Sequence, residues 1–319
     1  MNTSEIALSL IRIKSVSGEE NEVGEFLVNL LKNKFDVRKQ KVGKRFNVIA
    51  TRGKPRVLLT THMDTVPGNL EVGEDLEYIY GRGACDAKGI IASMICAGQD
   101  ALDEGVEDFA MLFDVSEETD FSGVKKAANE LNPEFVIVGE PTNMKIGIGQ
   151  KGLLGIRLGC CGKASHGSIP EKGESAIVKL FDAISKIKNE AQNSVVTLNI
   201  GKVSGGTAIN VVADYAEALL EIRYVRRPSK LFDLIKTLGR IDILYDYEPV
   251  GAVNETPVGN DFIMSYFTEM YFWSKEAKCI VLGPGDFELA HTDNEKIRKK
   301  DLEKARQMYL DMIKQVLGR

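Results

Sequence analysis

At 319 residues, the chain is too long for one small core and long enough for two domains. Its composition, 44% hydrophobic and 27% charged, is that of a globular protein. A net charge of -5 excludes a sequence-independent nucleic-acid binder, which needs a basic surface. No apolar run approaches the roughly 20 residues of a membrane span, and residues 1–5 lack the basic and apolar regions of a signal peptide. Five cysteines, scattered except for the adjacent pair Cys160-Cys161 and without a Cys-x-x-Cys, read as small apolar residues kept reduced. The expectation is a cytoplasmic protein with neither nucleic acid nor membrane as partner.

Helical spacing runs through the first thirty-five residues, clearest in Val23, Phe26, Leu27, Leu30, Leu31 and Phe35. Short β-rich runs at 47–50, 57–61, 110–115 and 135–138 then alternate with helical patterns at 88–102 and 122–131, the alternation of an α/β protein. Near 145–149 the pattern changes. The order becomes strand (153–160), helix (174–188), strand (194–203), strand (211–224), helix (229–238) and strand (242–247), a ferredoxin-like βαββαβ unit. A helix over 261–273, a strand over 279–282 and a helix from 296 to the end resume the earlier style. The predicted fold class is α/β: a larger domain of residues 1–150 and 254–319, with a mixed sheet flanked by helices, and an inserted ferredoxin-like domain of residues 151–253.

Only three histidines occur, His62, His166 and His291. Imidazole serves both as a neutral metal ligand and as a proton carrier near pH 7. Several acidic and histidine positions fall just past the C-terminal end of an apolar run: His62 and Asp64, Glu117 and Glu118, Glu140 and, some residues later, His291. Ligands of open α/β sheets gather beyond the carboxyl ends of the strands, so these positions converge on one site. Such an oxygen and nitrogen set suits zinc, cobalt or manganese, and its size exceeds what one tetrahedral ion needs. Asp86, in Gly81-Arg82-Gly83-Ala84-Cys85-Asp86, is the candidate bridging carboxylate. Read alone, it caps the following helix equally well. Adjacent Glu117 and Glu118 can divide two tasks, metal ligand and general base, although isolated acids at a strand end are usually solvated. Asp64 can orient the His62 ring. Alone, His166 is a loop residue near glycines, Asn210 a turn residue and Arg223 a strand-face charge.

These segments carry a resemblance. The chain is similar to the metal-dependent amidohydrolase and exopeptidase family that includes acetylornithine deacetylase, succinyl-diaminopimelate desuccinylase, aminoacylase and carboxypeptidase G. The matching pieces are Thr61-His62-Met63-Asp64-Thr65-Val66-Pro67, Gly81-Arg82-Gly83 with Asp86 and Lys88-Gly89, Ser116-Glu117-Glu118, and Gly139-Glu140-Pro141. Lys163-Ala164-Ser165-His166-Gly167, Gly205-Gly206 with Ala208 and Asn210-Val211, and Gly283-Pro284-Gly285-Asp286 with Ala290-His291-Thr292 follow in family order. The resemblance implies a zinc-exopeptidase-like domain with a lid and dimerisation insert. It implies two divalent metal ions, zinc first and cobalt as the other candidate. His62 and Glu140 would hold one, Glu118 and His291 the other, and Asp86 would bridge them. Glu117 would be the general base, Asp64 would orient His62, and His166 would stabilise the oxyanion from a dimer partner. Asn210 and Arg223 would contact substrate, Arg223 by gripping a carboxylate. The family proline after the lid asparagine is replaced by Ala213, and the chain is short for the family.

The implied activity is cleavage of an amide bond in an N-acylated amino acid. The ending from Gly283 to Thr292 resembles deacylases of lysine or ornithine derivatives in lysine or arginine biosynthesis, either acetylated or held on a carrier protein. Dipeptidases, aminoacylases and succinyl-diaminopimelate desuccinylases share every metal ligand. A non-catalytic protein reusing the scaffold is the reading from another class. Gly147-Ile148-Gly149-Gln150-Lys151-Gly152 fits the dinucleotide-binding Gly-x-Gly-x-x-Gly, but a strand pattern follows where a helix is required, so a domain-junction turn is expected there. No Gly-x-Ser-x-Gly elbow of a serine hydrolase occurs.

Overall fold

The computed structural model describes residues 1–194, 196–251 and 261–319. They form two compact units: residues 1–149 with 268–319 and the flanking return segment, and residues 150–251 with 264–267. The expected return boundary at residue 254 lies outside the described residues.

The first unit opens with α1 (Thr3–Arg12) and α2 (Asn21–Leu31). The Asn2 side chain accepts from the Glu5 N–H while Glu5 accepts from that of Asn2, both at 2.9 Å, a capping box that satisfies two otherwise orphaned donors. Next come β1 (Asp36–Val42), β2 (Arg45–Arg52), β3 (Val57–His62), β4 (Gly73–Glu74) and β5 (Tyr78–Tyr80). They are followed by α3 (Gly89–Asp103), β6 (Phe109–Asp114), α4 (Ser122–Ala128), β7 (Phe135–Val138) and β8 (Ile146–Gln150). The second unit contributes β9 (Gly152–Cys161), α5 (Ala176–Gln192), β10 (Val196–Gly205), β11 (Tyr215–Tyr224), α6 (Ser229–Thr237) and β12 (Arg240–Tyr247). The chain closes with β13 (Asp261–Met264), α7 (Met270–Trp273), β14 (Lys278–Val281), β15 (Lys296–Arg298) and α8 (Lys299–Leu317).

The main sheet runs β1-β2-β6-β3-β7-β14-β8-β13. Its centre, β6-β3-β7-β14, is parallel, while β1, β2 and β8 pair antiparallel. All residues of β3, β6 and β7 are buried. Parallel strands covered on both faces read as continuous apolar runs rather than alternations, which is why these were visible in the sequence. Helix α3, buried along most of its length, packs on this sheet and against α1 and α8. Buried Tyr309 on α8 donates its hydroxyl to the Leu282 carbonyl at 2.7 Å, tying the last helix to the end of β14.

The second unit is an antiparallel sheet in the order β10-β11-β9-β12, with α5 and α6 sharing one apolar core with alternate residues of the strands. That connectivity is ferredoxin-like.

Two local expectations differ from the structure, and one strand was not expected. Residues 36–42 form a strand of a hairpin with β2, unannounced because Asp36, Arg38, Lys39 and Lys41 face solvent. The helix expected over 261–273 is a strand, β13, followed only at Met270 by a single helical turn. Residues 147–152 are not a turn but the end of β8 running nearly into β9. Strands on both sides remove the helix N-terminus that a dinucleotide would need.

Leu59 lies fully buried on central β3. Leu59→Ala should cost about 2–5 kcal/mol, read as a lower urea midpoint with unchanged slope.

Candidate metal centre

The four central parallel strands end on one edge, and each delivers site residues from its carboxyl end. His62 is the last residue of β3, with Asp64 just beyond. Ser116, Glu117 and Glu118 follow β6, and Glu140 follows β7 by two positions. His291 comes from the loop after β14 and adopts a positive φ of 65°. Gly283 permits the crossing beneath: a Cβ there would lie 2.4 Å from the Glu140 carbonyl oxygen.

Asp86 arrives from the other side, in the turn before α3. Its φ of -132° and ψ of 90° are not helical, and the helix begins at Gly89 with Lys88 at the cap position. Asp86 is therefore free of the capping role open to it in sequence. Its Oδ1 lies 2.9 Å from His62 Nε2 and its Oδ2 3.2 Å from His291 Nε2. Glu118 Oε1 is 2.8 Å from the same nitrogen of His291. Two sets of donors, His62–Asp86–Glu140 and Asp86–Glu118–His291, each lie within 4.8 Å of one another. Asp86 belongs to both. His62, Glu117 and Glu118 form a third such set.

Surrounding residues hold these groups in place. His62 Nδ1 lies 2.9 Å from the Asp64 main-chain oxygen and 3.6 Å from its carboxylate. That carboxylate accepts from Ser17 Oγ at 2.6 Å and from the N–H groups of Glu117 and Glu118 at 3.1 and 3.2 Å. Asp64 thus fastens the end of β3 to the loop after β6. Burial opposes its charge, but the hydrogen bonds from His62, Ser17 and the loop hold its pKa below the ordinary carboxylate value.

Sequence reading missed Glu295. Its Oε1 accepts from the N–H groups of Cys85 and Asp86 at 3.2 and 3.3 Å, and its Oε2 from Arg82 at 2.7 Å. It fixes the Asp86 turn from four residues beyond His291, a closeness to the motif that was its only signal. Asp114 and Glu269, also missed, are buried carboxyls beside one another. Burial pushes both above the ordinary range. Glu269 is 209 residues from its hydrogen-bond partner Thr60, a separation no local pattern reveals.

The electrostatics test whether metal ions fit. Burial, then the charge of Glu140, holds Glu117 well above its ordinary value. Burial and the charge of Asp86 do the same to Glu140. His291 is pushed up to about 10, first by its contact with Asp86 and then by that with Glu118. Carboxylates crowded in a buried space with only two imidazoles are short of positive charge. Their donors are nitrogen and oxygen, the set that divalent zinc, cobalt or manganese takes. The residues fit a pair of such cations.

His166, Asn210 and Arg223 lie in the second unit. His166 Nδ1 accepts from the Ser168 N–H at 3.2 Å and lies 2.8 Å from its hydroxyl. In the neutral ring this leaves the proton on Nε2, available as a donor. The Gly167 N–H donates to the Asn210 carbonyl at 2.7 Å, and His166 pairs with Val211, so this histidine and asparagine are neighbours. Gly167, Gly206, Ala208 and Val211 line a cavity of about 620 Å³ there. Arg223 stands on β11, on the face away from α5 and α6.

Comparison with known proteins then decides the family. The model of peptidase family M20/M25/M40 matches residues 58–315. The chain belongs to that family. A peptidase M20 domain-containing protein of Schizosaccharomyces pombe is 35% identical over 90% of this chain and 78% of its own length. A probable carboxypeptidase of Aspergillus oryzae is 32% identical over 96% of this chain and 88% of its own length. The crystal structure of a Staphylococcus aureus tripeptidase superposes with a TM-score of 0.87 at 24% identity, covering 100% of this chain and 98% of that one. An M20 family metallo-carboxypeptidase of Sulfolobus solfataricus gives 0.78 at 18% identity, covering 98% and 99%. The M20 membership makes this chain a metal-dependent hydrolase of amide or peptide bonds, and no helix among the described residues is long and apolar enough to cross a membrane.

The raised His291 sets a pH dependence. In the metal-free M20 chain it holds a proton from its ordinary value of 6.5 up to about 10, and a ligating imidazole must lose it. Metal affinity should therefore rise with pH, by about tenfold per unit for each proton released, between pH 6.5 and 8.5. The fold without metal should show the opposite trend: the stability from protonated His291, complete below its ordinary 6.5, should be lost as pH rises through about 10. Calorimetry in buffers of different ionisation enthalpy measures the released protons. A pH-independent affinity would contradict this picture.

Proposed function

We propose that the chain is a two-metal hydrolase that cleaves the amide bond of an N-acylated amino acid. His62 and Glu140 would hold one ion and Glu118 and His291 the second, with Asp86 the carboxylate shared between them. The observation that carries this reading is the membership of Asp86 in both donor sets, its two oxygens turned to His62 and His291. Zinc is the ion proposed, with cobalt as a functional substitute.

When bound, divalent ions acidify a water and polarise the scissile carbonyl. Glu117, left out of both Asp86-containing sets, accepts the proton of the attacking water and returns it to the leaving amine. Asp64 keeps the His62 ring oriented. His166, donating from Nε2, stabilises the oxyanion of the tetrahedral intermediate, and Asn210 beside it contacts the substrate. Arg223 takes the substrate carboxylate.

For substrate we propose a lysine or ornithine derivative, acetylated or carrier-linked, in lysine or arginine biosynthesis, on the resemblance of residues 283–292. The names of the relatives, peptidases and carboxypeptidases, favour short peptides as the second reading. A homodimer through the second unit would supply His166 to the neighbouring subunit. Edge strand β10 is largely exposed, and Ile200 and Val203 on it and Val178 and Phe181 on α5 are exposed apolar side chains, which suits pairing across a two-fold axis. All five cysteines are free, in keeping with a cytoplasmic location.

Purified protein with Zn²⁺ or Co²⁺ should hydrolyse at least one of acetylornithine, acetyllysine, succinyl-diaminopimelate, γ-glutamyl-lysine or a dipeptide. Inertness toward all of them with metal bound would favour a non-catalytic role. Glu117→Ala should keep the metals yet lower kcat by about 10²–10⁴; near-normal turnover would remove Glu117 as the base.

A further inference from the structure

The open face of the β9–β12 sheet carries a polar cluster that the hydrolytic chemistry does not consume. Along β11, Ala218, Leu220, Ile222 and Tyr224 turn into the core with α5 and α6. Glu221 and Arg223 therefore stand together on the opposite face. Arg223 Nε donates to Glu221 Oε1 at 2.8 Å, and the Tyr245 hydroxyl donates to Glu221 Oε2 at 3.2 Å.

Two features of the backbone permit that second bond. Tyr245 sits on β12, and β9 lies between it and β11. The intervening residue is Gly155, paired with Glu221 on one side and Tyr245 on the other. A Cβ at Gly155 would lie 2.3 Å from the Tyr245 ring, so only glycine lets the ring pass across the strand. The register between β9 and β12 also slips between Ile243 and Tyr245. Such a bulge re-aims side chains. It sets Tyr245, rather than Leu244, opposite Gly155.

Both oxygens of Glu221 are thereby engaged, and Arg223 is held through Nε alone. Its two terminal nitrogens have no partner among the described residues. Tyr245, Tyr247 and Phe267 continue the face as a stack, with ring centroids 6.2 and 4.8 Å apart. A guanidinium fork with a fixed anion beside it is poorly suited to an isolated carboxylate, because the anion repels it. It suits a ligand with a carboxylate and an ammonium on neighbouring atoms, and an aromatic wall adds to the hold on the cation.

We propose that Glu221, Arg223 and Tyr245 form a specificity subsite for a free α-amino acid head group. The terminal nitrogens of Arg223 take the α-carboxylate, and Glu221, braced by Tyr245, takes the α-ammonium. A substrate read this way has an unmodified α-nitrogen, so its scissile amide is on the side chain, which in the lysine or ornithine derivatives proposed above means the side-chain nitrogen. The enzyme is then selective for ω-N-acyl diamino acids over their α-N-acyl isomers. The inference rests on the contact between Arg223 and substrate proposed above.

Isomer pairs test it: Nε- against Nα-acetyllysine, and Nδ- against Nα-acetylornithine, with the intact metal-loaded protein. The ω-acyl isomers should be preferred in kcat/KM by about tenfold or more, the scale of one charge-assisted contact. Glu221→Gln and Tyr245→Phe should each shrink that preference through KM rather than kcat, with melting temperature as the control for folding. Equal rates for the isomers, preference for the α-acyl forms, or an unaltered preference in both variants overturns the subsite while leaving the two-metal reading intact. Should the wider panel of acyl-amino acids and peptides also be inert, the two-metal reading falls and takes the subsite with it.

Discussion

One carboxylate organises this molecule. Asp86 faces His62 with one oxygen and His291 with the other, and those histidines arrive from opposite ends of the larger unit. Their strands, β3 and β14, are not adjacent; β7 lies between them. A single group can face both only if the parallel strands end level with one another and if the turn before α3 is held rigidly above them. The first condition is met by the register, which pairs Val57 with both Phe109 and Phe135, and Lys278 with Phe135. The second is met by Glu295, which binds the backbone of the Asp86 turn while paired with Arg82.

Building the centre this way has an electrostatic cost. Acidic groups that would repel one another are gathered where water is scarce, and their raised pKa values record it. Two imidazoles relieve the crowding in part. Divalent cations held there would relieve it far more, which would link metal binding to the integrity of this edge of the sheet. Asp64 shows the same economy of parts, since one carboxylate anchors both the end of β3 and the loop carrying Glu117 and Glu118.

Much of this was legible because the chemistry sits where apolar runs stop. His62 closes a strand and Glu118 and Glu140 follow strands whose sequences are largely apolar, and the rule for ligand placement in α/β sheets needs nothing more. Asp86 was ambiguous because a short acid before a helix has two ordinary uses, and only backbone angles distinguish them. Glu295, Asp114 and Glu269 were missed for another reason: each acts through partners distant in sequence. The segment from 261 misled because its closely spaced Phe262, Ile263, Met264, Tyr266 and Phe267 suit a buried strand as well as a helix. The bracing of Arg223 was equally silent, since it depends on a missing side chain at Gly155 and a slipped register in β12.

Anomalous scattering from crystals of the zinc-loaded protein addresses the central claim most directly. The account predicts two peaks flanking the Asp86 carboxylate, one within reach of His62 and Glu140 and the other of Glu118 and His291. A single peak, or peaks that leave Asp86 without a metal on either side, would contradict it.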